Sequence, residues 1–313
     1  MKRLNLERGK EELISTGGNH ACGYFLREAA RRHLPANFQQ RREGAISDRD
    51  ILLTMTGMLS NSRTDFVDVD LYREDTVFTH SFGIDELPAE PTLRQRLDEL
   101  PAQRSHDCLR TTNLSILQGR SFQTVRAGEL DLVPVDIDVS PLDNSGSNKQ
   151  GVSFTYKKHD GYAPIFAYIG AEGYMLDHEL RPGKQHCQEG TPQFIGSCVR
   201  QLEALKLRGR CLIRLDSEQL PSSKLCVNKI VLLCGMLAFN VLRTLGQEVL
   251  ARAHLAPVKI KVRRWRLKTV LQNIVYCAVR VIRHARTIKL HFGKTCPWFD
   301  VIEDVARSRL CPD

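Results

Sequence analysis

The segment LDLVPVDIDV, residues 130–139, is rich in valine, leucine and isoleucine and carries acidic residues at alternate positions. Just before it, near Gly128, the spacing of apolar residues changes from helical to extended. An alternating apolar run of this length predicts a β-strand. Asp136 and Asp138 stand two residues apart, so both are expected to project from the same face of the strand. The segment therefore predicts the start of a sheet with two carboxylates on one side.

Further strands and helices are predicted on both sides of this segment. Residues 21–117 have helical spacing of apolar residues, and helices are also expected over 191–207 and 226–245. The last of these is apolar on nearly all sides, so it is expected to lie buried against the sheet. The additional strands are expected at 152–156, 162–169, 173–176 and 211–215. The pattern predicts an α/β protein.

The N-terminal helices carry recognisable start signals. Ser47 precedes Asp50 at the spacing of a helix cap, and Pro91 stands where a second helix is expected to begin. Arg94 and Arg96 on that second helix fit a helix that crosses a DNA backbone and fit a solvated amphipathic face equally well. We expect an all-helical domain over residues 1–128, with DNA binding left open, and a sheet domain over 129–313.

Bulk composition limits the class of protein and its partners. The 313 residues are 42% hydrophobic and 26% charged, as in an ordinary globular protein, and 45 basic against 36 acidic residues give a net charge of +9. This excess favours a polyanionic partner such as nucleic acid or an anionic membrane surface. The ten cysteines include no Cys-x-x-Cys pair. We expect buried thiols in a reducing cytoplasm, with no zinc site.

No membrane partner is expected. The N-terminus lacks the apolar core of a secretory signal, and the longest apolar run, residues 230–242, is too short to span a bilayer. The run fits a buried helix better. The sequence therefore predicts a cytoplasmic protein.

Residues 251–296 form a strongly basic segment with twelve lysines or arginines and no acidic residue. The spacing of apolar residues from Leu267 to Ile282 predicts a helix, so this region is expected to be helical. Cations near a helix C-terminus also suit the helix dipole, but the absence of any acid favours a phosphate-binding surface. The candidate nucleic-acid-binding residues are Arg263, Arg264, Arg266, Lys268, Arg280, Arg283 and Arg286.

Three aspartates are candidates for metal chemistry. Asp136 and Asp138 lie within the predicted central strand, and Asp216 ends the strand predicted at 211–215. Carboxylates are the preferred protein ligands of Mg²⁺, and two such ions can clamp the attacking and leaving oxygens of a phosphoryl displacement. Taken alone, the pair in the strand fits solvent-exposed strand ends better than a metal site.

Several blocks of the sequence resemble, in order, the DDE transposases of bacterial insertion sequences. The blocks are DIDVSPLDNS (136–145), YKKHDGYAPI (156–165), LRPG (180–183) with His186, IRLDS (213–217), LPSSK (220–224), GMLAFN (235–240) and the basic stretch near Arg264. The resemblance implies an RNase H-like mixed sheet flanked by helices. It also implies Mg²⁺- or Mn²⁺-dependent hydrolysis and strand transfer at transposon ends. Asp138 matches the first catalytic aspartate of the family and Asp216 the second.

The chain departs from the family after the second aspartate. The family places an inserted β-rich region there, with a Tyr-x-x-Arg-x-x-x-Glu-x-x-x-x-x-x-Lys signature that carries the third catalytic acid. Here Ser217 runs directly into Glu218, and no such signature follows. An internal deletion explains the junction most simply. Asp136 and Glu218 are kept as weak candidates for metal ligands, Glu218 as a substitute for the missing acid.

Three functions remain open at this point. The first is a transposase with impaired catalysis that binds double-stranded DNA, both terminal inverted repeats and target DNA. The second is a non-enzymatic remnant that interferes with intact transposase, and the third is a two-metal nuclease that cuts without joining. The chain is expected to act as a homodimer or in a mixed complex with intact transposase.

Overall fold

The computed structural model describes residue 11 and residues 13–215, 227–284 and 287–310. Over these residues the chain is a mixed α/β protein, as the sequence predicts. Helices precede the main sheet in the chain, and further helices and a β-hairpin follow it. The bounds of the α-helices are α1 Asn19–His33, α2 Asp48–Ser60, α3 Thr76–Phe82, α4 Glu90–Glu99, α5 Ala102–Leu117, α6 Thr191–Ala204, α7 Val227–Ala251, α8 Leu267–Val270 and α9 Phe299–Leu310.

Local signals start and end the N-terminal helices. The Ser47 hydroxyl accepts a hydrogen bond from the Asp50 N–H at 3.0 Å, as its position before α2 predicts. Pro91 lies in the first turn of α4, where its missing N–H leaves no helical hydrogen bond unmade. Gly83 ends α3 with a φ of 71°, a left-handed conformation that glycine adopts without strain.

Five strands form the main sheet, and their directions determine which side chains share a face. From one edge the order is β8, β7 and β3, with β9 and the short β2 also paired to β3. Strand β9 is parallel to β3, whereas β2 and β7 are antiparallel to it. The bounds are β2 Val125–Ala127, β3 Leu130–Val139, β7 Ile165–Ile169, β8 Tyr174–Glu179 and β9 Cys211–Leu215.

Two smaller sheets complete the described strands. One contains β4, β5 and β6, and the other contains β1, β10 and β11. Their bounds are β1 Leu13–Ile14, β4 Leu142–Asp143, β5 Ser153–Phe154, β6 Asp160–Tyr162, β10 Val279–His284 and β11 Thr287–Phe292. The strand predicted at 162–169 is therefore interrupted, and Pro164, which lacks an N–H, lies at the break.

The two faces of the main sheet are covered by different helices. Val135 and Ile137 pack with apolar residues of α6 and the end of α5, whereas Phe166 on the opposite face belongs to the larger core around α7. That larger core also includes residues of α1, α2, α5, α8 and α9. The helices before residue 128 and the segments after residue 230 therefore pack together. The division into domains at residue 128 stays a prediction.

Helix α7 is the buried helix that the apolar sequence predicts. In the described part of the chain one helix, Ile230–Ala251, is long and apolar enough to cross a membrane, but 72% of its most apolar window is buried inside the protein. The core helix of a globular protein passes the same test, so this feature is weak evidence for a membrane span.

Two asparagines bind α5 and α7 to β8 at the edge of the sheet. The Asn240 amide accepts from the Met175 N–H at 2.8 Å and donates to the Met175 carbonyl at 2.6 Å, as a peptide partner would. Asn113 donates to the Leu176 carbonyl at 3.1 Å, and Asn240 donates to the Asn113 side-chain oxygen at 2.7 Å. These bonds satisfy main-chain groups of an edge strand and place α7 across the sheet.

The prediction of one helix from Leu267 to Ile282 is wrong beyond Val275. Helix α8 is followed by a π-helical turn over Leu271–Val275, and the hairpin of β10 and β11 then begins at Val279. Val279 and Val281 are buried together with Ile14 and Val77. These valines alternate with exposed residues, and a period of two is typical of a strand. This strand pattern overlaps the last part of the helical spacing that begins at Leu267.

Candidate active site

Asp136 and Asp138 lie on one face of β3, the central strand of the main sheet. The residues between and before them, Ile137 and Val135, are buried on the opposite face. Asp136 pairs in register with Tyr168 of β7, and Asp138 pairs with Phe166. The carboxylates therefore lie on the face that α7 crosses, as the period of the strand predicts.

Of the two carboxylates on this face, Asp138 is the more exposed. Its side chain is exposed near the C-terminal end of β3 and accepts a hydrogen bond from the Ser140 hydroxyl at 3.0 Å. Over the residues that the structure describes, Asp138 forms no ion pair. Burial and the negative charge of Asp138 raise the pKa of the nearby Tyr168 hydroxyl. An exposed, unpaired carboxylate at the end of a strand can accept a divalent ion without first losing a cationic partner.

Asp136 is held by an arginine of the neighbouring strand. Its two oxygens accept hydrogen bonds from Nε and Nη2 of Arg214 on β9, at 2.5 and 2.7 Å. The hydrogen bond to Asp136 raises the pKa of Arg214. A metal ion bound by Asp136 would have to displace a bidentate guanidinium, which presents two parallel N–H donors to the carboxylate. The role of Asp136 as a weak metal ligand stays a prediction.

Asp216 and Glu218 lie outside the described residues. The last described residue of β9, Leu215, pairs in register with Ile137, next to Asp138 in the sequence. Within the residues whose placement is described, no group of three or more His, Cys, Asp or Glu side chains could hold a metal ion. The proximity of Asp138 and Asp216 therefore stays a prediction.

The basic residues nearest α8 surround a buried tryptophan. Trp265 packs edge-on against Trp298, with ring centroids 5.2 Å apart, and anchors the segment to the core. The charged residues on either side of it are exposed. They are Arg263, Arg264, Arg266 and Lys268. This part of the predicted surface consequently presents several cations to solvent from a fixed position.

The hairpin of β10 and β11 places two of the other basic candidates on opposite faces of a strand. Arg280 forms an ion pair with Glu11 at 3.0 Å, whereas Arg283, three residues on, donates to the Thr76 hydroxyl at 3.1 Å. Three residues along a helix return to the same face, but three along a strand reach the opposite face. The predicted helix would have grouped these arginines, and the strand does not. Arg286 lies outside the described residues.

A cleft beside Asp136 contains functional candidates that sequence reasoning missed. It has a volume of about 550 Å³, and its polar lining includes Arg214, Arg243, Arg264, Asp136 and Tyr168. We call it the arginine cleft. The available signal was Arg243, a single cation within the otherwise apolar middle of α7. Nothing in the local pattern indicates that Arg214 of β9 and Arg264 lie beside it.

Comparison with known proteins identifies a family model for most of the chain. The model described as "Transposase DDE domain group 1" matches residues 26–220, which include β3, β7, β8 and β9 as well as Asp138. No curated protein and no solved structure matches the chain.

Proposed function

The chain belongs to the transposase DDE domain family, group 1, and from this membership we propose that it is a DNA-binding transposase of an insertion sequence with impaired catalysis. The observation that carries the proposal is the family match over residues 26–220 together with the exposed carboxylate of Asp138 on the central strand. The substrates are the terminal inverted repeats of the element and target DNA. The protein acts in the cytoplasm, as a homodimer or in a mixed complex with intact transposase.

The catalytic core is RNase H-like in this proposal. The strand order β8, β7, β3, β9 supports it, because three antiparallel strands are followed, after helix α6, by a strand parallel to the first. This arrangement brings the C-terminal ends of β3 and β9 to the same edge of the sheet. Asp138 is near one of these ends, and Asp216 follows the other in the sequence.

Asp138 and Asp216 are the catalytic carboxylates of the proposal, and together they hold Mg²⁺ or Mn²⁺. Asp138, exposed and without an ion pair among the described residues, fits a divalent ion, and ions bound there would supply activation of the attacking oxygen and stabilisation of the leaving oxygen. Asp136 is already paired with Arg214, so in this proposal it is only a weak ligand and mainly balances charge on this face. Glu218 remains a weak substitute for the missing acid.

The proposed impairment rests on the junction between Ser217 and Glu218. The family signature with the third acid is missing from the sequence after Asp216. A remnant that binds DNA without cutting it is therefore the second candidate function. Metal-dependent nicking of transposon-end DNA distinguishes an enzyme from a remnant, and joining of the cut strand distinguishes a transposase from a two-metal nuclease.

Mn²⁺ is expected to stabilise the protein through Asp138. A ligand that binds only the folded state at ten times its dissociation constant adds about 1.4 kcal/mol, which corresponds to a rise of roughly 2–4 °C in Tm. The Asp138→Ala variant should lose this rise when thermal unfolding is followed with and without Mn²⁺. Asp131→Ala is the matched control because Asp131 is also an exposed carboxylate of β3 but pairs with Arg126. Equal Mn²⁺ shifts in wild type and Asp138→Ala would exclude Asp138 as a ligand.

The basic segment is expected to dominate affinity for duplex DNA. If it contacts six phosphates, log K should fall with log[salt] at a slope of about −5. Replacing Arg263, Arg264 and Arg266 with alanine should flatten the slope by up to about 3. Fluorescence anisotropy with labelled duplex at several salt concentrations measures both slopes.

The control for this experiment removes three arginines elsewhere. Arg31, Arg208 and Arg307 are each exposed and form ion pairs with carboxylates at most five residues away, so their loss changes net charge equally with little cost in stability. A control variant that loses as much slope as the test variant would show that net charge alone governs binding. The assignment of the basic segment would then be rejected.

A further inference from the structure

The described lining of the arginine cleft carries more positive than negative charge. Three guanidinium groups line it, those of Arg214, Arg243 and Arg264, against one lining carboxylate, Asp136. Arg214 is the one that pairs with Asp136. Over the described residues, neither Arg243 nor Arg264 forms an ion pair with a carboxylate. Within the described residues, the cleft therefore carries two cations that no carboxylate pairs with.

Arg243 is placed in this cleft at an energetic cost. Its residue is only 7% exposed, its guanidinium lies 5.4 Å from the Phe239 ring, and Nη1 donates to the Trp265 carbonyl at 2.6 Å. Its Nε is buried without a hydrogen-bond partner. Burial and the neighbouring Arg264 lower the pKa of Arg243 to about 10, so the group stays charged at neutral pH. A buried cation of this kind is stabilised when an anion enters beside it.

Arg264 lies across the turn between β7 and β8. Its Nη1 is 3.5 Å from the Glu172 carbonyl and would be 2.6 Å from a Cβ on Gly173, so the glycine leaves room for the guanidinium. The charge of the buried Glu172 raises the pKa of Arg243, against the lowering by burial, but the Glu172 oxygens accept their hydrogen bonds from the Gln123 N–H at 2.9 and 3.0 Å. Glu172 does not line the cleft.

We propose that the arginine cleft binds one phosphate of a DNA strand, next to the phosphate that lies at Asp138. The inference rests on the proposed function and adds the position of the strand on the sheet. Asp136 borders the cleft and is two residues from Asp138, about 7 Å along a strand. Successive phosphates of one DNA strand rise only about 3.4 Å along the helix axis but are roughly 7 Å apart through space, so the two phosphates are about one nucleotide apart. Arg243 and Arg264 present forked donors, which match the oxygens of a phosphate.

The proposal predicts that one phosphate position depends on Arg264. In a duplex of the terminal inverted repeat, each phosphate near the element end is replaced in turn by an uncharged methylphosphonate, and affinity is measured by anisotropy. At one position within about one nucleotide of the cleavage site, wild-type affinity should fall about tenfold, because one charge-assisted contact is lost. In Arg264→Gln the same replacement should have a much smaller effect, because only Arg243 then contacts this phosphate. Arg208→Gln, an exposed arginine beyond α6, should keep the full tenfold loss.

The experiment distinguishes failure of the proposed function from failure of the cleft proposal. Wild-type protein that binds no duplex would reject the proposed function itself, whereas binding with no position dependent on Arg264 would reject the cleft and leave the function standing. Arg264 is chosen because it is exposed, so its variant is expected to fold. A second variant, Arg243→Lys, keeps the charge but loses the forked pair of donors. It should show a partial loss of the dependence on the same phosphate. If inorganic phosphate alone stabilises wild type but not Arg264→Gln, and no methylphosphonate position depends on Arg264, the cleft is a site for free phosphate and the proposal is overturned.

Discussion

Supercoiled DNA that carries the element ends is expected to be nicked about 10²–10³ times more slowly by this chain than by a family member with all three catalytic acids. In-line displacement requires both the attacking and the leaving oxygen to be held by positioned ions, and a third carboxylate normally helps to position the second ion. The family signature that carries this acid is absent after Asp216. Binding should survive because the exposed arginines near Trp265 lie outside the junction between Ser217 and Glu218.

The nicking assay compares wild type with Asp138→Ala and Asp216→Ala, first with Mg²⁺ and then with Mn²⁺. Asp131→Ala serves as the control for an exposed carboxylate on the same strand. Rapid cleavage by wild type that is lost in both variants would contradict the expected impairment and show that an active site survives. Glu218→Gln would then test whether Glu218 replaces the third acid.

Replacing Asp48 with alanine is expected to lower the free energy of unfolding by about 3–5 kcal/mol. The Asp48 side chain is fully buried at the start of α2, where one oxygen accepts from Arg41 at 2.9 Å and from Arg96 at 2.5 Å. The other oxygen accepts from the Phe38 N–H at 2.9 Å. Removing the carboxylate leaves Arg96, whose side chain is 9% exposed, as a buried cation whose one remaining carboxylate among the described residues is Glu99 at 4.0 Å.

Urea denaturation measures this loss, and an unchanged m-value would show that the unfolded state is the same. Asp48→Asn should lose less, because its amide oxygen can still accept from the Phe38 N–H. Asp70→Ala is the surface control: Asp70 pairs with Arg73 at 2.9 Å while more than half exposed, so its loss should cost at most about 1 kcal/mol. An Asp48→Ala protein as stable as the Asp70→Ala control would show that the buried network contributes little.

The residues of β3 and β9 already determine, from their order alone, where each strand begins and ends. The predicted strands at 130–139 and 211–215 match the observed bounds, and Ser47 caps α2 as its spacing from Asp50 predicts. Strand alternation and helix capping depend on residues that are adjacent or a few positions apart in the chain. The common face of Asp136 and Asp138 follows from the same local rule.

Contacts between distant segments could not be predicted in this way. Arg214 is 78 residues from Asp136 along the chain, and only the parallel pairing of β3 with β9 brings the two together. The placement of Arg264 near Arg243 likewise depends on how the segment after α7 folds back over the turn at Gly173.

The basic C-terminal segment shows most directly what the sequence determines and what tertiary packing determines. Its residues by themselves determine a cationic, partly apolar stretch, and the local spacing favours a helix from Leu267. Tertiary packing makes β10 a strand, because Val279 and Val281 become buried against Ile14 and Val77 only when the chain turns into a hairpin. Burial of this kind outweighs a helix propensity that differs among these residues by well under 1 kcal/mol each. The charge of the surface was thus determined by the sequence, and the distribution of that charge over opposite faces was decided by the tertiary structure.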